Sequence, residues 1–393
     1  MFTNVINLVT IVIDLAFTFV IKIKSILNFS SLNYPDIKEL SVHGRYISSS
    51  QLYSFLNSNS VRKKITFLGN SVASRPIHKI ILGSGKINIL MWSQMHGNET
   101  TTTKAVLDLV NYLNEESDLA NQLLSSVTLT IVPVLNPDGA AIYTRENANK
   151  IDLNRDAMEL SQPESKILRV LYNEIKPDYC FNLHDQRTIF NVGGLEKPAT
   201  LSFLAPAHDM DRTVSSGRGK SMKIIVAMHK ALSAILPDQI GRYDDAFNPN
   251  CVGDTFQMLG TSTILFEAGH YAEDYEREKT REFIFYALVK AILVIARNEI
   301  RAYNVDDYFN IPENSKRYFD LLISNAQLID SKYDQNIGIL YKEVLDEGAI
   351  IFNPYIEKTG NLEDCFGHKC LDCEDQNDFD FIKSNRKLDE LLF

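Results

Sequence analysis

His96 and Glu99 stand three residues apart in "MWSQMHGNETTTTKAV" (91–106), just after an apolar run and just before a threonine-rich one. An imidazole and a carboxylate so spaced on a strand-to-helix corner can face one metal ion. The other residues with usable chemistry fall at similar places. His184 follows "YCFNL" (179–183), Glu267 follows "TSTILF" (261–266), and Asn136 opens the turn "NPDG" (136–139) that ends "VTLTIVPVL" (127–135). Each lies at or near the C-terminal end of a predicted strand, and in open α/β sheets the ligand crevice lies outside the carboxyl ends of the strands. Four separated segments can therefore converge on one site.

Zinc chemistry would use them. A catalytic zinc takes three protein ligands and keeps one position for water. His96, Glu99 and His184 would hold a single Zn2+, and the positive charge left over would bring the pKa of a bound water from about 15.7 toward about 7. Glu267 would then accept the water's proton as general base and pass it to a leaving amine. A lone His-x-x-Glu arises often by chance, so the weight rests on all four residues together. The stretch "YTRENANKIDLNRD" (143–156) adds Arg145 and Arg155, positive forks suited to an oxyanion and a carboxylate, with Asn154 beside them. Taken alone, that stretch reads more readily as a solvated loop with two ordinary surface arginines.

The elements that must position these residues follow from periodicity. "KINILMW" (86–92), 127–135, 179–183 and 261–266 are short apolar runs of buried-strand length. Between them, 100–116, 163–175, 220–236 and 275–300 read as helices, the first with Ala105, Leu109 and Leu113 at helical spacing. Strands alternating with helices predict an α/β fold: a mixed, largely parallel twisted sheet flanked by helices, with a small C-terminal appendage. Residues 31–303 form the expected catalytic domain. Residues 304–393 form the appendage, with short strands over 337–356 and an acidic, Cys-containing tail ordered only in part.

Of 393 residues, 45% are hydrophobic, which is ample for a large core. The formal net charge of -10 argues against a nucleic-acid partner. Five cysteines, an odd number, do not make a disulfide framework and favour a reducing, cytoplasmic setting. Cys365, Cys370, Cys373 and His368 offer only one C-x2-C pair, so free thiols are expected there over a second zinc. The run "VINLVTIVIDLAFTFVI" (5–21), within a hydrophobic N-terminal segment 1–30, reads three ways. It is long enough for a signal segment or a membrane anchor, or it precedes a downstream start.

With these pieces assembled, the chain resembles the zinc metallocarboxypeptidases, the carboxypeptidase A-like family. The matching segments are "HGNE" (96–99), "NPDG" (136–139), "RENANKIDLNRD" (145–156), "NLHDQ" (182–186) and "GTSTILFEAG" (260–269), in the family's order. The resemblance implies zinc on His96, Glu99 and His184, the ligand types of carboxypeptidase A. It implies Glu267 as general base, Arg145 as oxyanion donor, and Asn154 with Arg155 gripping the substrate's terminal carboxylate. It places Asp152 and Asp254 at structural or pocket-forming positions. The family's mobile tyrosine has no counterpart in register: Ala246 and Phe247 stand nearest, and Tyr243 is offset. The position that sets side-chain preference holds Gly253, which supplies no charge.

The expected function is a zinc metallopeptidase that hydrolyses the C-terminal peptide bond through a metal-activated water. The alternative is an aspartoacylase-like or succinylglutamate-desuccinylase-like deacylase of N-acyl amino acids, which shares the fold and the metal pair. A catalytically inactive binding module is a third reading, disfavoured because every ligand and the base are present. The substrate is accordingly a peptide or an acyl amino acid, and oligomeric state is not legible.

Overall fold

The computed structural model describes residues 32–58, 60–115 and 117–393. The chain falls into a unit Met1–Asp36, of which residues 32–36 are described, and a unit Ile37–Phe393, which holds everything below. The apolar run 5–21 lies outside the described residues. Among the described residues no helix is long and apolar enough to cross a membrane.

The main sheet has eight strands: β1 (Ile65–Asn70), β2 (Pro76–Gly83), β3 (Ile87–Trp92), β4 (Val127–Val132), β5 (Tyr179–Asp185), β7 (Leu201–Leu204), β8 (Ile240–Arg242) and β9 (Ser262–Ala268), with β6 (Phe190–Val192) lying outside it. Their spatial order is β1-β2-β4-β3-β5-β9-β7-β8. The four at the centre, β4, β3, β5 and β9, run parallel, and antiparallel partners flank them. Every residue of β9 is buried, as a strand covered on both faces must be. The mixed, largely parallel α/β sheet expected from the alternation is present.

Side chains alternate between the two faces. Leu90, Trp92 and Cys180 point to one side, where they pack against Leu168, Leu171 and Tyr172 of helix Pro163–Ile175 and Phe256 of helix Val252–Met258. Helices Thr101–Asn114, Ser216–Leu232 and Glu278–Ala296 pack against one another and against β5, β7 and β9. A buried ion pair, Arg281 Nη2 to Asp108 Oδ1 at 2.6 Å, ties two of these helices together.

"NPDG" is more than a turn. Asn136 caps a helix over Pro137–Ile142, its side chain accepting from Gly139 N, while Pro137 fills the first turn where no N–H is needed.

The C-terminal part of the same unit builds a second sheet. After β10 (Asn314–Lys316), which pairs with β6, come β11 (Tyr318–Ser324), β12 (Asn336–Asp346), β13 (Ala349–Gly360) and β14 (Phe366–Asp372), in the order β13-β12-β11-β14. The stretch expected to hold short strands is one long hairpin of 11 and 12 residues, turning at Glu347 and Gly348, both at positive φ. The acidic end is ordered as helices Gln376–Ser384 and Arg386–Leu392, capped by the side chains of Asp375 and Asn385. They cover a core of Leu321, Ile323, Ile337, Ile339 and Leu371 with Ile382 and Leu388.

Candidate active site

The site is built where three parallel strands end. His96 and Glu99 sit in the loop after β3, ahead of helix Thr101–Asn114. That helix begins on a carboxylate: Asp185, the last residue of β5, accepts from Thr101 N at 2.8 Å and Thr102 N at 3.1 Å. The negative charge suits the exposed N–H groups of a helix start and fixes the corner against β5. Gly97 touches the "NPDG" loop so closely that a Cβ there would lie 2.0 Å from the Gly139 carbonyl carbon. Only glycine permits that approach. Asn136 holds the same junction from its buried position, donating to Met95 O at 3.2 Å and Arg145 O at 3.4 Å. Its role is a clamp rather than a reactive group.

His184 stands on β5 and pairs in register with Glu267 on β9. The Glu99 carboxylate lies between the two histidines: Oε1 is 2.7 Å from His96 Nδ1 and Oε2 is 2.8 Å from His184 Nδ1. The two Nδ1 atoms are 3.2 Å apart. Two imidazole nitrogens and a carboxylate converging from buried side chains are a donor set that fits zinc. His96 carries the support expected of a ligand: its far nitrogen, Nε2, is 3.1 Å from Asp152 Oδ1.

Asp152 also accepts from Arg145 Nε at 3.0 Å, so one carboxylate orients both the histidine and the arginine. Arg145 Nη1 stands 3.5 Å from Glu99 Oε1, in the mouth of the site. Asn154 accepts from Val252 N at 2.9 Å, and Arg155 Nη1 donates to Asn154 O at 2.7 Å and lies 3.1 Å from Cys251 Sγ. The seven residues expected as metal ligands, base and substrate donors, His96, Glu99, Arg145, Asn154, Arg155, His184 and Glu267, line one cleft of about 1130 Å³.

Electrostatics separate the two glutamates. Burial would raise both. For Glu99 the two imidazoles outweigh burial and hold the carboxyl well below the usual range. For Glu267 burial prevails, and the neighbouring Glu99 and Asp185 push it further, well above the usual range. Its Oε2 is buried without a protein partner among the described residues. A carboxyl so placed is ready to hold a proton.

Further residues line the same cleft. Tyr243 lines it, its phenol pushed up by burial and by Glu267 and Glu99. The C-terminal sheet supplies Tyr341, Glu343 and Tyr355, with Lys316 of β10. Arg45 forms a bidentate ion pair with Glu343, its Nη2 2.8 Å from both carboxylate oxygens, and Tyr143 donates to the same carboxylate. No pattern in β12 distinguishes these residues from an ordinary alternating strand. Arg187 lines the cleft and donates to Tyr355 at 3.0 Å. His270 lies outside this cluster; its ring sits tilted against those of His368 at 4.2 Å and Tyr275 at 4.7 Å. The five cysteines are free, and among the described residues the only metal-type cluster is His96, Glu99 and His184.

Comparison with known proteins agrees with this geometry. Residues 50–192 match the family model for zinc carboxypeptidases. Carboxypeptidase SOL1 of Arabidopsis thaliana is 34% identical over 110 residues, covering 25% of this chain and 22% of that protein. Gamma-D-glutamyl-L-diamino acid endopeptidase 1 of Lysinibacillus sphaericus is 36% identical over 85 residues, 19% of this chain and 21% of that protein. The match thus spans about a fifth of these curated relatives' length. A metallo-carboxypeptidase from Burkholderia cenocepacia shares the fold, with a TM-score of 0.53, 22% identity, and coverage of 65% of this chain and 70% of that one.

Proposed function

We propose that this relative of the zinc carboxypeptidases is a zinc-dependent exopeptidase that removes the C-terminal residue of a peptide. The observation that carries the reading is the convergence of His96, Glu99 and His184 beside Glu267 in one cleft that also presents Arg145, Asn154 and Arg155. His96, Glu99 and His184 would hold one zinc ion. When bound, zinc would polarise the scissile carbonyl and acidify water at that carbonyl.

The chain's own residues do the rest. Glu267 takes the water's proton on its carboxylate and returns it to the departing amine nitrogen. Its partnerless Oε2 is free for that proton. Arg145, locked by Asp152, points its guanidinium at the site and donates to the oxygen that gains negative charge. Arg155 and the Asn154 amide take the terminal carboxylate, which makes the cleft read chain ends. Asp152 keeps His96 in the tautomer that leaves Nδ1 free to bind.

The test is elemental analysis of the purified chain together with hydrolysis of a small panel: blocked dipeptides with free C-termini, and N-acetylated amino acids. About one zinc per chain with cleavage of the dipeptides supports the proposal. Zinc with cleavage confined to acetylated amino acids replaces it by the deacylase reading. No metal and no turnover after zinc is added leaves a binding module.

A further inference from the structure

The row of side chains beneath the catalytic pair holds an amide with nothing to bind. Asn182 lies two residues before His184, and Leu265 two before Glu267, and the two pair in register across β5 and β9. Residues two apart on a strand share a face, so this row lies about 7 Å below the reacting groups on the same side. Leu204 of β7 pairs with Leu265 and extends it. The cleft reaches all three.

Asn182 is 1% exposed, and neither Oδ1 nor Nδ2 has a protein partner among the described residues. Native interiors seldom leave an amide so, because an unmade hydrogen bond in a buried site is costly. The wall above it is open at one point. A Cβ on Gly253 would lie 3.2 Å from Pro206 Cγ and 3.6 Å from Asn182 Nδ2, filling the gap that leads to the amide. Glycine leaves that gap clear. Asp254, next in the wall, is 7% exposed.

We infer that Asn182 reads the side chain of the departing C-terminal residue and selects one ending in a hydrogen-bonding group, best matched by a carboxamide. The inference rests on the carboxypeptidase reading, which places that side chain below the scissile bond. An amide presents one donor face and one acceptor face, and a guest amide pairs with both. An aliphatic guest of the same shape leaves both unpaired. Sites built to hydrogen-bond a guest reject isosteres that lack the group far more strongly than apolar pockets reject a missing methylene.

The experiment compares kcat/KM for blocked dipeptides ending in Asn, Leu, Gln, Met, Lys and Asp, using the full chain loaded with zinc. Asn and Leu have nearly the same shape. Asn is expected to exceed Leu by at least about tenfold, and Asn182→Leu to invert the order. Gly253→Val, which covers the amide without changing it, is expected to erase the preference for Asn and serves where Asn182→Leu fails to fold. Brisk cleavage with Leu equal to or above Asn overturns the inference while leaving the carboxypeptidase reading intact. So does a preference for Lys that Asn182→Leu does not move, which assigns the selection to Asp254. No cleavage of any dipeptide overturns both.

Discussion

His184 and Glu267 face each other in register on adjacent parallel strands, one β5 and the other β9. Their backbones are therefore held at the sheet spacing of about 4.8 Å rather than by a loop. Loop motion cannot separate them. Glu99 arrives from the neighbouring strand's loop and is itself pinned, its Oε2 accepting from Asp185 N at 3.1 Å.

Glu267→Gln should keep zinc at the wild-type level and lower kcat by about 10²–10⁴. The amide preserves the shape and cannot take the proton. Metal content and single-turnover rates on one preparation decide it; retained activity would remove Glu267 from the mechanism.

His96→Ala and His184→Ala should each abolish stoichiometric zinc. Asp152→Asn should weaken zinc affinity by about 10–100-fold, because it loosens the Nε2 contact at 3.1 Å without removing a ligand. Competition with a chelator measures both effects. An Asp152→Asn chain with wild-type affinity would reduce that contact to packing.

Arg155→Ala should raise KM for dipeptides with a free C-terminus and change kcat less. Arg145→Ala should act mainly on kcat, by about 10²–10³, the usual cost of losing an oxyanion donor. Amidated dipeptides separate the two. The penalty of Arg155→Ala should vanish on them, and a penalty that persists would point to a structural role.

Glu343→Ala should destabilise the fold by about 3–5 kcal/mol, the cost of stripping a buried charge of its partner. Arg45 is 5% exposed and keeps its charge in the wall of the cleft. Urea denaturation reads the loss. A shift under about 1 kcal/mol would mark the pair as solvated.

The contact between His270 and His368 carries a pH signature. Burial lowers His368 to about 4 and His270 well below its ordinary value, with Arg277 disfavouring charge on both. The folded state thus binds fewer protons than the unfolded one, so stability is full above about 6.5 and falls as pH drops from there toward about 4. The window is worth about 3 kcal/mol for His368. His368→Phe keeps a ring against Tyr318 and should flatten this part of the stability–pH curve. An unchanged slope assigns the acid loss to carboxylates instead.

Much of the site was readable without coordinates because its chemistry is local. His96 and Glu99 are close in sequence, and the strands that carry His184 and Glu267 are short apolar runs whose ends are marked by the polar residue itself. Helix Pro163–Ile175 is bounded by its proline and by Lys176 in the left-handed region, and the periodicity gives the same limits. Boundaries elsewhere moved by a few residues, as where helix Ser216–Leu232 begins before the apolar run, on the cap of Ser215.

The residues by themselves determined the fold class and the metal-type donor set, and singled out Glu267 beside it, since hydrophobic period and residue type are properties of single segments. Only the tertiary structure decided that Asp152 serves both His96 and Arg145, that Asn136 is a clamp, that Glu343 closes on Arg45, and that Asn182, under His184, has no side-chain partner among the described residues. Those relations join residues up to 298 positions apart. They depend on strand order and register, which pair segments by the free energy of the packed whole, and no local pattern encodes them.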